Sequence, residues 1–274
     1  MGLSAADIAV AYNRGTVAEQ RALDGVSVQV ERGEVVLVVG VTGSGKSTLL
    51  KVLAGLLAPG EGSVTIDGSP LPHPPASAVG IVFQNPERQL FGETVLEDVA
   101  FGPRMLGAPR PLEVAERALS RVGLDPEAFG ARSPFSLSGG EARRVAIAGV
   151  LALGADYLLF DEPTVGLDGS GRRAVVDLIR RERQEHGVVV VTHHPDPFLA
   201  LADRIVALRD GRVVFSGSVE DVVRAPGRYE ATGLRLPELL WIQVEALRRG
   251  APLKGVGSTP EEVGRLLLDA RRRS

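Results

Sequence analysis

Val35-Val36-Leu37-Val38-Val39-Gly40-Val41-Thr42-Gly43-Ser44-Gly45-Lys46-Ser47-Thr48 runs from an unbroken apolar segment into a glycine-rich loop. Directly after it, Leu49, Leu50, Leu53 and Leu56 recur at helical spacing. Strand, glycine-rich loop and helix in that order are what a phosphate-binding P-loop requires. Gly43 and Gly45 can adopt backbone angles that turn successive N–H groups inward, forming an anion nest. The helix starting there adds the positive end of its dipole and its unpaired amides. Lys46 supplies a mobile point charge for the outer phosphates, and the Ser47 hydroxyl is placed to ligate Mg²⁺. Of 31 basic residues only Lys46, Lys51 and Lys254 are lysines. In a chain that otherwise uses arginine, lysine at the phosphate position marks a need for a compact ammonium where a planar guanidinium is bulky. Gly40 to Thr48 therefore reads as a nucleotide-binding loop.

The rest of the chain narrows what this loop serves. At 274 residues the chain can bury one large core, or one core plus an appendage. A net charge of −3 offers no general attraction to nucleic acid or anionic lipid. Having no cysteine excludes disulfides, thiolate metal sites and thiol catalysis. The start, Met1-Gly2-Leu3-Ser4-Ala5-Ala6-Asp7, lacks both the basic and the long apolar region of a signal peptide. The longest apolar run, Val145 to Ala155, has 11 residues, too few to cross a bilayer. The expectation is a soluble, cytoplasmic chain whose membrane role, if it has one, comes through a partner.

Upstream of the loop, Ile8–Tyr12 and Val26–Val30 alternate with period two and read as strands, with turn chemistry at Asn13-Arg14-Gly15. Tyr12 ends the first of them and fits a half-buried strand aromatic as well as a ligand contact. Downstream, Gly62–Gly68 reads as a short strand, Pro70–Pro75 as a surface loop, and Val79–Phe83 as a buried strand. Gln84 follows that strand on the edge where parallel sheets bind ligands, although a solvated loop residue is equally consistent there. From Asn85 to Val150 the pattern turns helical: Leu112, Ala115, Leu119 and Val122 form a stripe that Gly123 stops. Ser138-Gly139-Gly140-Glu141 opens a helix with a capping box, Ser138 capping and Glu141 reciprocating. A cap alone accounts for these residues, but two consecutive glycines exceed its needs and leave bare amides, a second anion site.

Tyr157–Phe160 is a fully apolar strand that ends in Asp161-Glu162-Pro163. Adjacent carboxylates at a strand end are costly without work: Asp161 suits Mg²⁺ and Glu162 suits polarising a water. A helix is expected from Gly171 to about Glu185, then Val188–Val191, the last obvious parallel strand, which ends in Thr192-His193-His194. A lone histidine is more often structural than functional, yet His193 ends a core strand on the same edge as Lys46, Gln84 and Glu162. Arg204–Gly217 reads as a hairpin turning at Asp210-Gly211. Beyond Pro226, Leu236, Leu240, Val244 and Leu247 form a helical stripe, Thr259-Pro260-Glu261-Glu262 a capping box, and Arg271-Arg272-Arg273 a solvated helix end.

Taken in order, these motifs resemble those of the ATP-binding cassette (ABC) ATPases over residues 8–220. Gln84 looks like that family's Q-loop, Leu137 to Glu141 like its signature, and Tyr157 to Glu162 like its Walker B strand. Gly166-Leu167-Asp168 looks like the D-loop, and His193 like the switch histidine. Tyr12 falls where the family stacks an aromatic on adenine. A narrower resemblance, to the energising subunits of energy-coupling-factor and cobalt importers, rests on Phe83 to Phe91 and Thr94 to Pro103. Gly233-Leu234-Arg235-Leu236-Pro237 is similar, more loosely, to the start of their C-terminal extension. Two positions depart from the wider pattern: Glu141 stands where Gln is common, and His194 where Asp is usual.

The resemblance implies an α/β P-loop NTPase fold of the ABC ATPase type. Its core sheet would be mostly parallel, with an N-terminal antiparallel β region, a helical subdomain and a small C-terminal helical appendage. Residues 1–84 and 151–225 would form the RecA-like core, 85–150 the helical subdomain, and 226–274 the extension. The implied ligands are ATP, held by Tyr12 and by Gly40, Val41, Thr42, Gly43, Ser44, Gly45, Lys46, Ser47 and Thr48, and Mg²⁺, held by Ser47, Gln84 and Asp161. Glu162, His193, Lys46 and Gln84 would be catalytic. Ser138, Gly139, Gly140 and Glu141 would act in trans, with Asp168 in the D-loop. The implied partners are a second ATPase subunit, identical or related, a transmembrane coupling subunit and a substrate-binding membrane subunit, with no nucleic acid. The chain would then sit on the cytoplasmic face of the membrane and power uptake of a vitamin, micronutrient or transition-metal ion. The alternatives are a soluble ABC ATPase without a transmembrane partner and a regulatory dimerisation module. The first usually carries coiled-coil insertions or two cassettes, neither visible here; intact Asp161, Glu162 and His193 speak against the second.

Overall fold

The computed structural model describes residues 2–13, 15–71 and 78–272; Arg14 of the predicted turn, most of the Pro70–Pro75 loop and Arg273 of the basic tail lie outside them. β1 (Gly2–Tyr12) and β2 (Gln20–Glu31) pair antiparallel. Both run longer than their period-two segments, because register shifts between Ala5 and Ala11 interrupt the alternation. β3 (Val35–Val39) enters the glycine-rich loop and α1 (Lys46–Leu53) leaves it; Leu56 lies past the helix end and is exposed. β4 (Glu61–Ile66) and β5 (Ser69–Pro70) complete an antiparallel sheet in the order β2-β1-β4-β5. After β6 (Val79–Val82) come α2 (Val95–Met105), α3 (Pro111–Arg121), α4 (Pro126–Phe129) and α5 (Gly139–Leu151). β7 (Tyr157–Asp161), α6 (Gly169–Glu182) and β8 (Gly187–Thr192) resume the alternation of strand and helix. β9 (Arg204–Arg209) and β10 (Arg212–Gly217) form the expected hairpin. Asp210 and Gly211 both have positive φ, 49° and 73°, as a tight two-residue turn requires. α7 (Val219–Arg224), α8 (Pro226–Glu230), α9 (Glu238–Arg248) and α10 (Pro260–Arg271) follow.

The second sheet has the order β10-β9-β3-β8-β7-β6, parallel except at β10. This corrects one expectation: β8 is not the last parallel strand, since β9 pairs parallel with β3 while also forming the hairpin with β10. The turn signal at Asp210-Gly211 announces only the sequence-local partner, and the other edge of β9 is invisible to it. The all-apolar strands have a direct cause. Val35, Leu37 and Val39 face one core, shared with α2, α3, α5 and α6; Val36 and Val38 face a second, shared with α1, β1 and β2. In β8, Val188 and Val190 divide in the same way from Val189 and Val191. Strands covered on both faces lose the period-two pattern.

Two side-chain details fix the helical parts. Arg121, at the end of α3, pairs with Glu182 at the end of α6, and its Nη2 lies 3.3 Å from Nε2 of His186. Burial acts to raise the Glu182 carboxyl, but hydrogen bonds from His186 and Arg121 outweigh it and hold the group below the ordinary glutamate range. In the C-terminal part, Leu240 and Val244 are buried as the stripe predicts, whereas Leu247 is partly exposed and Leu236 precedes the helix. In α3 the stripe holds at Ala115 and Leu119 but Leu112 is exposed. At α10 the Thr259 hydroxyl accepts from the Glu262 amide, but the Glu262 carboxylate takes the Ser258 amide, so the predicted box closes one residue early.

Candidate functional site

Because β3, β6, β7 and β8 run parallel, their carboxyl ends open on one edge, and the loop, Gln84, Asp161-Glu162 and His193 all leave the sheet there. They line a cleft of about 330 Å³ together with Tyr12 from β1 and Gln20 and Ala22 from β2. The loop is held tightly from beneath. A Cβ on Gly40 would stand 2.4 Å from Ser44 Oγ and 2.5 Å from the Leu208 carbonyl oxygen. Gly45 has φ of 103°, and a Cβ there would stand 2.5 Å from the Ala22 carbonyl oxygen. The tip of the β9–β10 hairpin braces the same place: the Gly211 amide donates to the Ser44 carbonyl (3.2 Å), and its own carbonyl accepts from the Asp24 amide (2.8 Å).

Lys46 is buried, and its ammonium donates to the carbonyls of Gly40 (2.8 Å) and Val41 (2.9 Å). Burial lowers its pKa, against the opposing pull of Glu162 and Asp161. Asp161 shows the converse: burial raises its carboxyl, with the Ser47 hydroxyl bond and Lys46 resisting. A phosphate in the cleft would complement the lysine, and a cation would complement the aspartate.

Glu162 is the most tightly held group on this edge. Its backbone has φ of 48°, a left-handed conformation that costs a non-glycine residue on the order of 1 kcal/mol. Its amide donates to the Val191 carbonyl (2.9 Å). One carboxylate oxygen accepts from the Thr192 hydroxyl (2.9 Å), the other from the His193 amide (3.0 Å) and from His193 Nδ1 (2.6 Å). β8 thus places three donors on a carboxylate that β7 delivers. His194 stands apart from this set; its amide donates to Thr192 Oγ1, and its exposed ring lies 4.0 Å from that of His193.

Tyr12 is 38% exposed and its hydroxyl lies 3.3 Å from Thr48 Oγ1, which puts the ring beside the cleft rather than in a core. Replacing it with alanine is expected to weaken ATP binding by about 1 kcal/mol, roughly fivefold, through lost stacking. Titration with a fluorescent ATP analogue checks this; an unchanged dissociation constant would return Tyr12 to the reading as a half-buried strand aromatic.

The predicted signature turn lies elsewhere. Ser138 caps α5 and makes the full capping box with Glu141, whose carboxyl the Ser138 hydroxyl and amide hold below its ordinary range. None of Ser138, Gly139 and Gly140 lines the cleft over the loop. A Cβ on Gly139 or Gly140 would meet nothing within 4 Å. Asp168 caps α6, accepting from the Gly171 amide (2.7 Å) and the Ser170 hydroxyl (2.9 Å), and these bonds lower its carboxyl.

Three contributions escape the sequence reading. Gln20 and Ala22 reach the cleft from β2 with no local signal at all. Thr192, fully buried, is flagged only as a hydroxyl ending an all-valine strand. Arg143 is a buried cation inside α5, discernible as one arginine on an otherwise apolar helix face.

The cleft suits a nucleoside triphosphate. It has a loop in which Gly40 and Gly45 admit no side chain, an ammonium at its floor and an aromatic at its rim, and the loop carries a buried Ser44 hydroxyl without a partner in the chain. Among the described residues no cluster of three or more carboxylates and histidines is poised to hold a metal unaided. Asp161, Ser47 and Gln84 lining one cleft instead suit Mg²⁺, which takes few protein ligands and the rest from phosphate oxygens and water.

Comparison with known proteins agrees. A family model described as ABC transporter matches residues 23–165. The energy-coupling factor transporter ATP-binding protein EcfA2 of Symbiobacterium thermophilum is 45% identical over 87% of this chain and 86% of its own length. EcfA2 of Clostridium acetobutylicum is 36% identical over 99% of this chain and 100% of its own. Among solved structures, cbiO1 of Clostridium perfringens, described as part of the ABC transporter complex cbiONQ, superposes with a TM-score of 0.72 at 32% identity, covering 88% of this chain and 97% of that one. An ATP-binding cassette solved as a post-hydrolysis dimer with ADP and Pi superposes with a TM-score of 0.69 at 30% identity, over 79% of this chain and 98% of that one.

Proposed function

The chain belongs to the ABC transporter family as an ATP-hydrolysing transport subunit, and we propose that it energises an importer of the energy-coupling-factor type as a head-to-tail dimer. The observation that carries the dimer is the signature turn. Gly139 and Gly140 sit in open space, so the chain's own packing does not require them to be glycine. Their bare amides at a helix N-terminus suit an anion that arrives from outside. A γ-phosphate held by the loop of a second subunit is such an anion, and each subunit then completes the other's site. ATP becomes the adhesive of the dimer, and hydrolysis lets the two subunits swing apart.

Within one site the geometry supports the following roles. Lys46 neutralises charge on the outer phosphates from the floor of the cleft. Ser47, Asp161 and Gln84 would hold Mg²⁺, which would supply further positive charge there. Glu162, fixed by Thr192 and His193, orients the attacking water and receives its proton. His193, whose Nδ1 lies against Glu162, would turn its other ring edge toward the γ-phosphoryl group as charge develops there. Gln84 senses the γ-phosphate, residues 85–150 move with it as a helical subdomain on the nucleotide-binding core of 1–84 and 151–225, and Asp168 meets the facing subunit.

The partner surface lies just beyond Gln84. Phe91, Phe101, Met105 and Leu106 are exposed together, with the Phe91 and Phe101 rings in edge contact at 4.9 Å. Large exposed apolar groups of this kind mark interaction sites. No helix among the described residues is long and apolar enough to cross a membrane, so the reading is a peripheral subunit on the cytoplasmic face, docked on transmembrane subunits. The cargo proposed is a vitamin, micronutrient or transition-metal ion. Mild detergent extraction of cells producing the chain is expected to co-purify integral membrane proteins in fixed ratio, and Phe101→Asp with Met105→Asp to release them. Recovery of an active ATPase free of membrane proteins would favour the soluble alternative.

A further inference from the structure

Arg143 lies one turn into α5, three and four residues beyond the signature glycines, and is only 6% exposed. Its Nη2 donates to the Gln84 carbonyl (3.1 Å), and its Nη1 to the carbonyls of Val165 (2.8 Å) and Pro163 (3.3 Å). Its Nε faces Glu87 at 3.4 Å. One planar fork therefore joins three segments: the signature helix that carries it, the loop after β6 that holds Gln84, and the segment that begins beside Glu162 and runs to the D-loop. The three carbonyl bonds are main-chain contacts, so they report where the segments are rather than which side chains they carry. The ion pair that ties α3 to α6, Arg121 with Glu182, touches none of these motifs.

We propose that Arg143 is a positioning residue that couples the two ATP sites of the dimer. The inference rests on the head-to-tail reading above. Gln84 and Glu162 serve the nucleotide on their own subunit, whereas the signature turn serves the nucleotide on the partner. When the first site rearranges around its γ-phosphate, the carbonyls of Gln84, Pro163 and Val165 shift, and the buried guanidinium moves α5 with them. A lysine cannot reproduce this, because a single ammonium lacks the fixed fork that spans three carbonyls. Removal of the donors breaks the link between those carbonyls, so the segments no longer move as one.

The test compares wild type with Arg143→Met and Arg143→Lys. Nucleotide-driven dimerisation of the wild type, read by sizing with an excess of a non-hydrolysable ATP analogue, is established first; a wild type that stays monomeric with it overturns the dimer reading itself and this inference with it. Given a dimer, cooperative hydrolysis with a Hill coefficient approaching about 2 is expected. Arg143→Met should leave the affinity of the isolated subunit for a fluorescent ATP analogue within about twofold, lower kcat about tenfold and bring the Hill coefficient to about 1. Arg143→Lys keeps the buried charge and should lose cooperativity with a smaller fall in kcat; it carries the test should the methionine variant fail to fold. Unchanged Hill coefficients in both variants overturn the proposal. So does a loss of nucleotide affinity in step with kcat, the behaviour of a residue that merely holds the fold together.

Discussion

Glu162→Gln is expected to lower steady-state ATP hydrolysis by a factor on the order of 10² to 10⁴ while ATP binding persists, the range typical for removal of a general base. The substitution is nearly isosteric, so β7 and β8 should keep their register. A glutamine carbonyl oxygen can still accept from the His193 amide or the Thr192 hydroxyl. What disappears is a negatively charged acceptor for the proton of an attacking water. ATP then enters, closes the dimer and is not consumed. Sizing in the presence of ATP should show a stable dimer for this variant and a transient one for the wild type. Hydrolysis near the wild-type rate would remove Glu162 from the mechanism and move attention to His193.

The second large effect tests whether each ATP site is shared between subunits. Lys46→Ala removes the ammonium at the floor of the cleft; Ser138→Arg fills the mouth of the signature turn. Each variant alone should lose activity by about 10² or more, the scale seen when a preorganised charge-stabilising group is removed. Mixed in equal amounts, they should recover part of it. In a mixed dimer the intact signature of the lysine variant meets the intact loop of the serine variant, and one site is whole. With random pairing half the dimers are mixed and each has one good site of two, so the ceiling is about a quarter of wild-type activity. No recovery, with dimers demonstrably mixed, would show that both sites must fire together or that the signature does not act in trans.

How much of this was legible beforehand divides along physical lines. Elements stabilised locally could be read directly: the Ser138–Glu141 capping box and the Asp210-Gly211 turn depend on residues within four positions of one another. The all-valine strands were legible for a different reason, since burial on both faces leaves a pure apolar run. Long-range pairings were not. That β9 lies parallel to β3, or that Gln20 of β2 borders the cleft, follows from how two sheets stack and leaves no periodic trace. Arg143 leaves only a faint trace, one arginine on an otherwise apolar helix face of an arginine-rich chain, and its role emerges from burial and from three carbonyls that meet in space. Asp168 carries two readings at once, since the side chain that resembles a D-loop residue in sequence also caps α6.

The place of β3 in its sheet also governs how the chain comes into being. This strand leads into the nucleotide loop near the start of the sequence, yet its neighbours on both sides, β8 and β9, belong to the last third. The loop itself waits for Gly211, whose amide holds the Ser44 carbonyl. On a ribosome adding about 5 to 20 residues per second, Val35–Val39 therefore stays unpaired for roughly 7 to 30 s before β8 emerges. An unpaired valine-rich strand is an aggregation hazard over that interval. The loop thus gains its full set of supports only after Gly211 has been made, more than three quarters of the way along the chain.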